Sequence, residues 1–121
     1  MSGKLLVVIL SGSEDPYRVR WGLRLALNTH THPYGDRLLD DVKVLLFATG
    51  VSIVNPKMPS YEEFRDRLKA LMDADVEVAA CVSIARNTGL EEEAENLGIK
   101  LVHASAYTAQ HVADGYTVMT F

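Results

Sequence analysis

Cysteine is nearly absent from this chain: its 121 residues hold one, Cys81. A single thiol closes no intrachain disulfide, so a reducing, cytoplasmic setting is expected. An excess of positive charge is absent as well. Twelve Lys and Arg stand against sixteen Asp and Glu, a formal net charge of −4. Without a basic face, double-stranded DNA or RNA is not an expected partner. Long hydrophobic runs are also missing. The run at the start, Leu5 to Leu10, is six residues. That is too short for a membrane span or for the apolar segment of a secretion signal, so it reads as a first strand. There is no internal repeat, linker or low-complexity segment.

What is present suits one globular domain over residues 1–121. Hydrophobic residues make up 48% and charged residues 23%, and a chain of this length buries roughly two-thirds of its unfolded surface. Five apolar runs read as strands: Lys4 to Leu10, Val42 to Ala48, Val76 to Val82, Ile99 to Val102 and Tyr116 to Phe121. The first two are nearly continuous, as expected of strands covered on both faces. Helical patterns alternate with them. Ser13 or Asp15 can cap a helix from Pro16 to about Asn28. Val51 to Val54 reads as a short helix, and Ser60 with Glu63 forms a capping box for a helix ending near Asp73. Asn87 or Thr88 caps another from Leu90 to Leu97, stopped by Gly98. Ser105 to Asp114 is the last helix, closed by Gly115. Strands alternating with helices imply a single-domain α/β fold, a three-layer α/β/α sandwich with a mostly parallel five-stranded sheet.

The first helix carries a broad apolar arc: Tyr17, Trp21 and Leu25 in one stripe, widened by Val19, Leu23, Ala26 and Leu27. Contact with a sheet uses a narrower stripe. Tyr17 and Trp21 are therefore candidate anchors of a subunit interface.

In sheets of this type ligands bind outside the carboxyl ends of the strands. That rule gathers Ser11, Gly12, Thr49, Gly50, Ser83 and the segment Cys81 to Arg86, with His103 and Ser105, on one edge. Cys81 is the sharpest candidate. It closes the third strand on the face shared by Glu77 and Ala79, beside small residues. Near the strand end it could reach the backbone N–H groups that follow and the Arg86 guanidinium. Contact with either would favour the nucleophilic thiolate form, which can take the outer sulfur of a persulfide. The plain alternative is a buried cysteine that fills space. Ser11-Gly-Ser13 matches no phosphate loop, and Glu14 and Asp15 oppose a phosphate there, so no nucleotide or other cofactor is expected. His30 and His32 lack the further ligands a zinc site needs, so no metal is expected either. His103 and His111 suit proton transfer only if they face the strand-end crevice.

The chain resembles the DsrE/DsrF-like family, which includes sulfur-relay and YchN-type proteins. The likeness runs through Glu14-Asp15-Pro16, Gly22-Leu-Arg-Leu-Ala26, Phe47-Ala-Thr-Gly-Val51 and Val118-Met-Thr-Phe121. Its most informative part is Cys81-Val-Ser-Ile-Ala-Arg-Asn-Thr-Gly89. The resemblance implies a three-layer α/β/α domain that self-associates as a trimer or hexamer. It also implies a sulfurtransferase-like role, with Cys81 carrying a persulfide between sulfur-donor and acceptor proteins. The other expectation is a non-catalytic oligomeric module that binds a small ligand or partner protein at the strand ends.

Overall fold

The computed structural model describes residues 3–33 and 35–121. Met1 and Ser2, ahead of the first expected strand, and position 34, between the first expected helix and the second expected strand, lie outside them. The chain is a single α/β domain around five strands: β1 (Gly3–Ile9), β2 (Leu39–Leu46), β3 (Glu77–Cys81), β4 (Lys100–Val102) and β5 (Thr117–Thr120). The sheet order is β4-β3-β2-β1-β5, and every pair is parallel. The helices are α1 (Pro16–Thr31), α2 (Tyr61–Asp73), α3 (Val82–Thr88), α4 (Glu91–Leu97) and α5 (Ala104–Ala113). A 3₁₀ segment, Ala48–Val54, follows β2.

This order distributes the helices. From β1 to β4 each crossover steps the same way, and right-handed crossing puts α1, α2 and the α3–α4 pair on one face. The connection from β4 to β5 returns across three strands, so α5 lies on the other face. The first face is thickly covered: Leu5, Val7 and Ile9 of β1 and Val42, Val44 and Leu46 of β2 are buried there, as are Val19, Leu23 and Ala26 of α1. On the second face α5 is the sole helical cover among the described residues.

Local chemistry departs from the sequence reading in four places. α1 continues past Asn28 to Thr31, where the Thr29 and Thr31 hydroxyls donate to the carbonyls of Leu25 and Leu27 at 2.8 and 3.0 Å. These bonds let polar residues continue the last turn. β2 begins at Leu39, three residues before Val42. The Ser60–Glu63 capping box is not formed: Ser60 has φ 65° and makes no side-chain cap bond. Glu63 instead binds Arg20 and Arg67. Finally, Asn87 and Thr88 cap nothing. They belong to α3, a helix the sequence reading lacked, which ends on left-handed Gly89. The other caps follow expectation, with Asp15 accepting the Arg18 N–H at 3.1 Å and Gly98 closing α4 at φ 90°.

Candidate functional site

Cys81 is the last residue of β3 and stands immediately before α3. It pairs with Val102, the last residue of β4. Beyond these two strand ends the chain diverges, into α3 on one face and α5 on the other. Such a divergence is the switch point at which open α/β sheets form their crevice. The side chain of Cys81 shares the α5 face with Ala79 and Glu77, because strand residues alternate and Glu77 meets α5 through the Tyr107 hydroxyl. The residue is 6% exposed, so the thiol sits under the surface.

The other expected residues divide into groups. Ser11 and Gly12 follow β1, and Thr49 and Gly50 follow β2. These two turns pack on one another. A Cβ on Gly12 would collide with Ser52 Oγ and lie 2.8 Å from the Thr49 carbonyl oxygen, and one on Gly50 would collide with the Ile9 carbonyl oxygen. The Gly12 N–H points to the Glu14 carboxylate at 2.5 and 3.1 Å, so the loop supplies its own anion. Ser11 Oγ donates to the Phe121 carbonyl at 3.3 Å. The 3₁₀ segment, which includes Thr49 and Gly50, packs against α3 and β3, the elements that carry the exposed Ser83 and the buried Cys81 respectively. Arg86 lies in the last turn of α3, where its Nε donates to Glu91 Oε2 at 3.3 Å.

Two open cavities flank α5. One, of about 700 Å³, is apolar and lies toward the strand carboxyl ends, with Val8, Leu45, Phe47, Ala104, Val112 and Val118 among its walls. The other, of about 590 Å³, is lined by the polar residues Lys43, Glu77, Lys100, His103, Tyr107 and His111 among others. Of this second group the sequence singled out His103 and His111 alone. The Tyr107 hydroxyl donates to Glu77 Oε2 at 2.6 Å, and Lys100 Nζ lies 3.8 Å from Glu77 Oε1. One strand over, the Tyr116 hydroxyl donates to Asp41, which also pairs with Lys43 at 3.1 Å. His111 stacks between the two tyrosines, with ring centroids 4.1 and 4.8 Å away, and its Nδ1 lies 2.6 Å from the Tyr107 carbonyl.

This network sets its own titration. Burial, then the bond to Glu77, raises the Tyr107 hydroxyl well above its ordinary range, and burial with Asp41 does the same to Tyr116. Burial disfavours the Asp41 charge, but the Tyr116 hydroxyl and Lys43 outweigh it and hold the carboxyl below its usual value. His111 therefore braces α5 near the amino ends of β2 and β3, away from the strand-end crevice where a proton-transfer role would place it. A partial signal was present in the sequence, since Lys43 and Glu77 interrupt apolar strand runs, but only the folded sheet brings the two into register.

Among the described residues, no group of three or more His, Cys, Asp or Glu is arranged to hold a metal ion. None of their helices is long and apolar enough to cross a membrane.

The same architecture is found in proteins of distant sequence. A conserved protein of unknown function from Bacteroides thetaiotaomicron, BT1422, superposes with a TM-score of 0.77 at 14% identity, covering 98% of this chain and 94% of its own. MTH1491 from Methanobacterium thermoautotrophicum, also of unknown function, gives 0.75 at 15% identity, over 99% and 100% of the two chains. The ychN protein of E. coli gives 0.68 at 18%, over the full length of both. At these identities the likeness is one of fold. No curated protein matches the chain. The family model for DsrE/DsrF-like proteins matches residues 3–121, from the start of β1 through the end of β5 and so across every element that frames Cys81. The chain belongs to the DsrE/DsrF-like family.

Proposed function

We propose that this protein is a small sulfur carrier in which Cys81 accepts a sulfane sulfur from a persulfide and passes it on. The observation that carries this reading is the position of the sole cysteine, at the end of β3 where the chain diverges to α3 and α5. Membership of a family associated with sulfur relay supports it. In the transfer, the Cys81 thiolate attacks the outer sulfur of a donor persulfide. A new S–S bond forms at Cys81, the donor S–S bond breaks, and the donor leaves as its thiolate with no net oxidant. The second half repeats the exchange toward an acceptor thiol. In this reading Ser11, Gly12, Ser83 and the Thr49–Gly50 turn form the strand-end surface on which the donor docks, and Arg86 of α3, paired with Glu91, is the cation at that end. Donor and acceptor are thiol proteins of a reducing, cytoplasmic compartment, and the carrier self-associates as a trimer or hexamer.

Intact-mass measurement after incubation with polysulfide tests this. Wild type should gain one sulfur, removable by reductant, and Cys81→Ser should gain none. An unmodified wild type, under conditions that load an established carrier, overturns the reading.

The burial of Cys81, together with a 700 Å³ apolar cavity elsewhere on the α5 face, favours a second reading, a binding module with a structural cysteine. The two separate by the pH dependence of Cys81 alkylation. A thiol slower than free cysteine at every pH supports the module, and one much faster at neutral pH supports the carrier.

A further inference from the structure

β5 is the outer strand of the sheet and pairs with β1 alone. That pairing decides which of its backbone groups are used. The Phe121 N–H donates to the Val8 carbonyl at 2.9 Å, and the Phe121 carbonyl accepts from the Leu10 N–H at 3.1 Å. Along a strand both groups of one residue point to the same side, and the side alternates from residue to residue. Thr117, Met119 and Phe121 therefore address β1, while Val118 and Thr120 turn their N–H and C=O groups outward. All of Thr117–Thr120 is exposed, so nothing among the described residues covers this edge. Three protections that sheet edges commonly carry are missing from this short strand: β5 has no charged residue, no proline and no bulge.

We propose that this edge is an interaction surface for a second copy of the chain, joined β5 to β5 in antiparallel fashion about a two-fold axis at Met119. In that register Val118 exchanges both N–H···O=C bonds with Thr120 of the partner subunit, and the symmetric pair does the same. All four outward groups of each copy are then satisfied. An edge whose free groups sit symmetrically about one residue is its own complement. With no charge on the strand, no like charges are opposed across the axis.

Side chains on both sides of the edge suit the same occupant. Met119, 40% exposed, projects on the α1 face, where Phe121 packs under Gly22. Val118, 37% exposed, projects on the α5 face, where it walls the apolar cavity with Val112. An isolated peptide would satisfy the backbone but leave these residues wet. A folded copy brings its own Met119 to one face and its own Val118 and Val112 to the other, and joins the two sheets into one of ten strands. The contact deepens the self-association reading above and does not depend on the chemistry of Cys81. It is isologous, so it joins copies in pairs. A hexamer with two-fold axes can use it, and a trimer cannot.

Val118→Pro tests it on the full chain. The substitution removes an outward N–H and spares every bond to β1, and proline is tolerated at such edge positions. Circular dichroism and thermal midpoint should stay near wild type while the mass by light scattering falls to half. Met119→Cys in a Cys81→Ser background should oxidise to a covalent pair, since opposed residues of an antiparallel ladder stand about 4.5–5.5 Å apart at Cβ. A wild type that assembles, keeps its mass as Val118→Pro and gives no Met119→Cys cross-link rejects this surface and leaves self-association standing. A monomeric wild type rejects both.

Discussion

Glu63 holds two arginines from two helices. Its carboxylate takes Arg20 of α1 through a forked pair at 2.6 and 2.9 Å and Arg67 of α2 at 2.9 Å. These partners, Arg20 foremost, outweigh partial burial and hold the carboxyl at about 2, against an ordinary 4.5. A depressed carboxylate stabilises the fold above its unfolded pKa, and the stabilisation is lost as pH falls from about 4.5 toward about 2. The side chain is 31% exposed, so solvent screening reduces the effect to about 1–2 kcal/mol. Glu63→Gln should cost that much in urea unfolding at neutral pH, and the gap to wild type should close near pH 2. An equal gap at both pH values would show that the pairing is not what stabilises. The sequence could not reveal this role. Three residues after Ser60, Glu63 has the spacing of a local cap, and its real partner lies 43 positions away.

At the scale of elements, what could be read from the sequence was what local pattern determines. The continuous apolar runs gave all five strands, and Asp15, Pro16, Gly98 and Gly115 marked helix ends because each acts on its own backbone. α3 was missed because Val82–Thr88 is too short to show a period and follows β3 without a turn residue. Strand order and the tyrosine–carboxylate pairs depend on register between distant segments, which local pattern does not encode. The crossing of the two turns beyond β1 and β2 is of the same kind. Gly50 is there because its α-carbon abuts the Ile9 carbonyl. A methyl at that point meets backbone that cannot yield, so Gly50→Ala should cost about 3 kcal/mol or more. Gly89 offers the contrast: at φ 71° it has open space around it, and Gly89→Ala pays only the left-handed backbone penalty of about 1 kcal/mol. Urea midpoints for the two variants would settle the comparison, and a Gly50→Ala no worse than Gly89→Ala would refute the steric account.

Across the whole molecule, cover is uneven. One face of the sheet is packed under α1 and α2, and the other depends on α5 and the chain that leads from it into β5. Near the strand amino ends that segment is fastened by Tyr107 to Glu77 and by Tyr116 to Asp41. Toward the carboxyl ends it leaves the apolar cavity open. Both hydroxyls are raised above their ordinary value of about 10, and the sign of the linkage follows. Below pH 10 both remain protonated folded or unfolded, and their stabilisation is complete. Above it the unfolded chain releases the protons first, so stability falls as pH climbs toward the folded values. The slope is on the order of 1 kcal/mol per pH unit for Tyr107 and less for the more accessible Tyr116. Phenylalanine at both positions removes the titration, although it also leaves Glu77 and Asp41 each short of a donor and lowers stability by about 1–3 kcal/mol at neutral pH. The double variant should therefore begin less stable and lose less between pH 9 and pH 11, and its curve should approach that of wild type. If the two stability–pH curves stay parallel through that range, the tyrosines are not what ties the α5 face down.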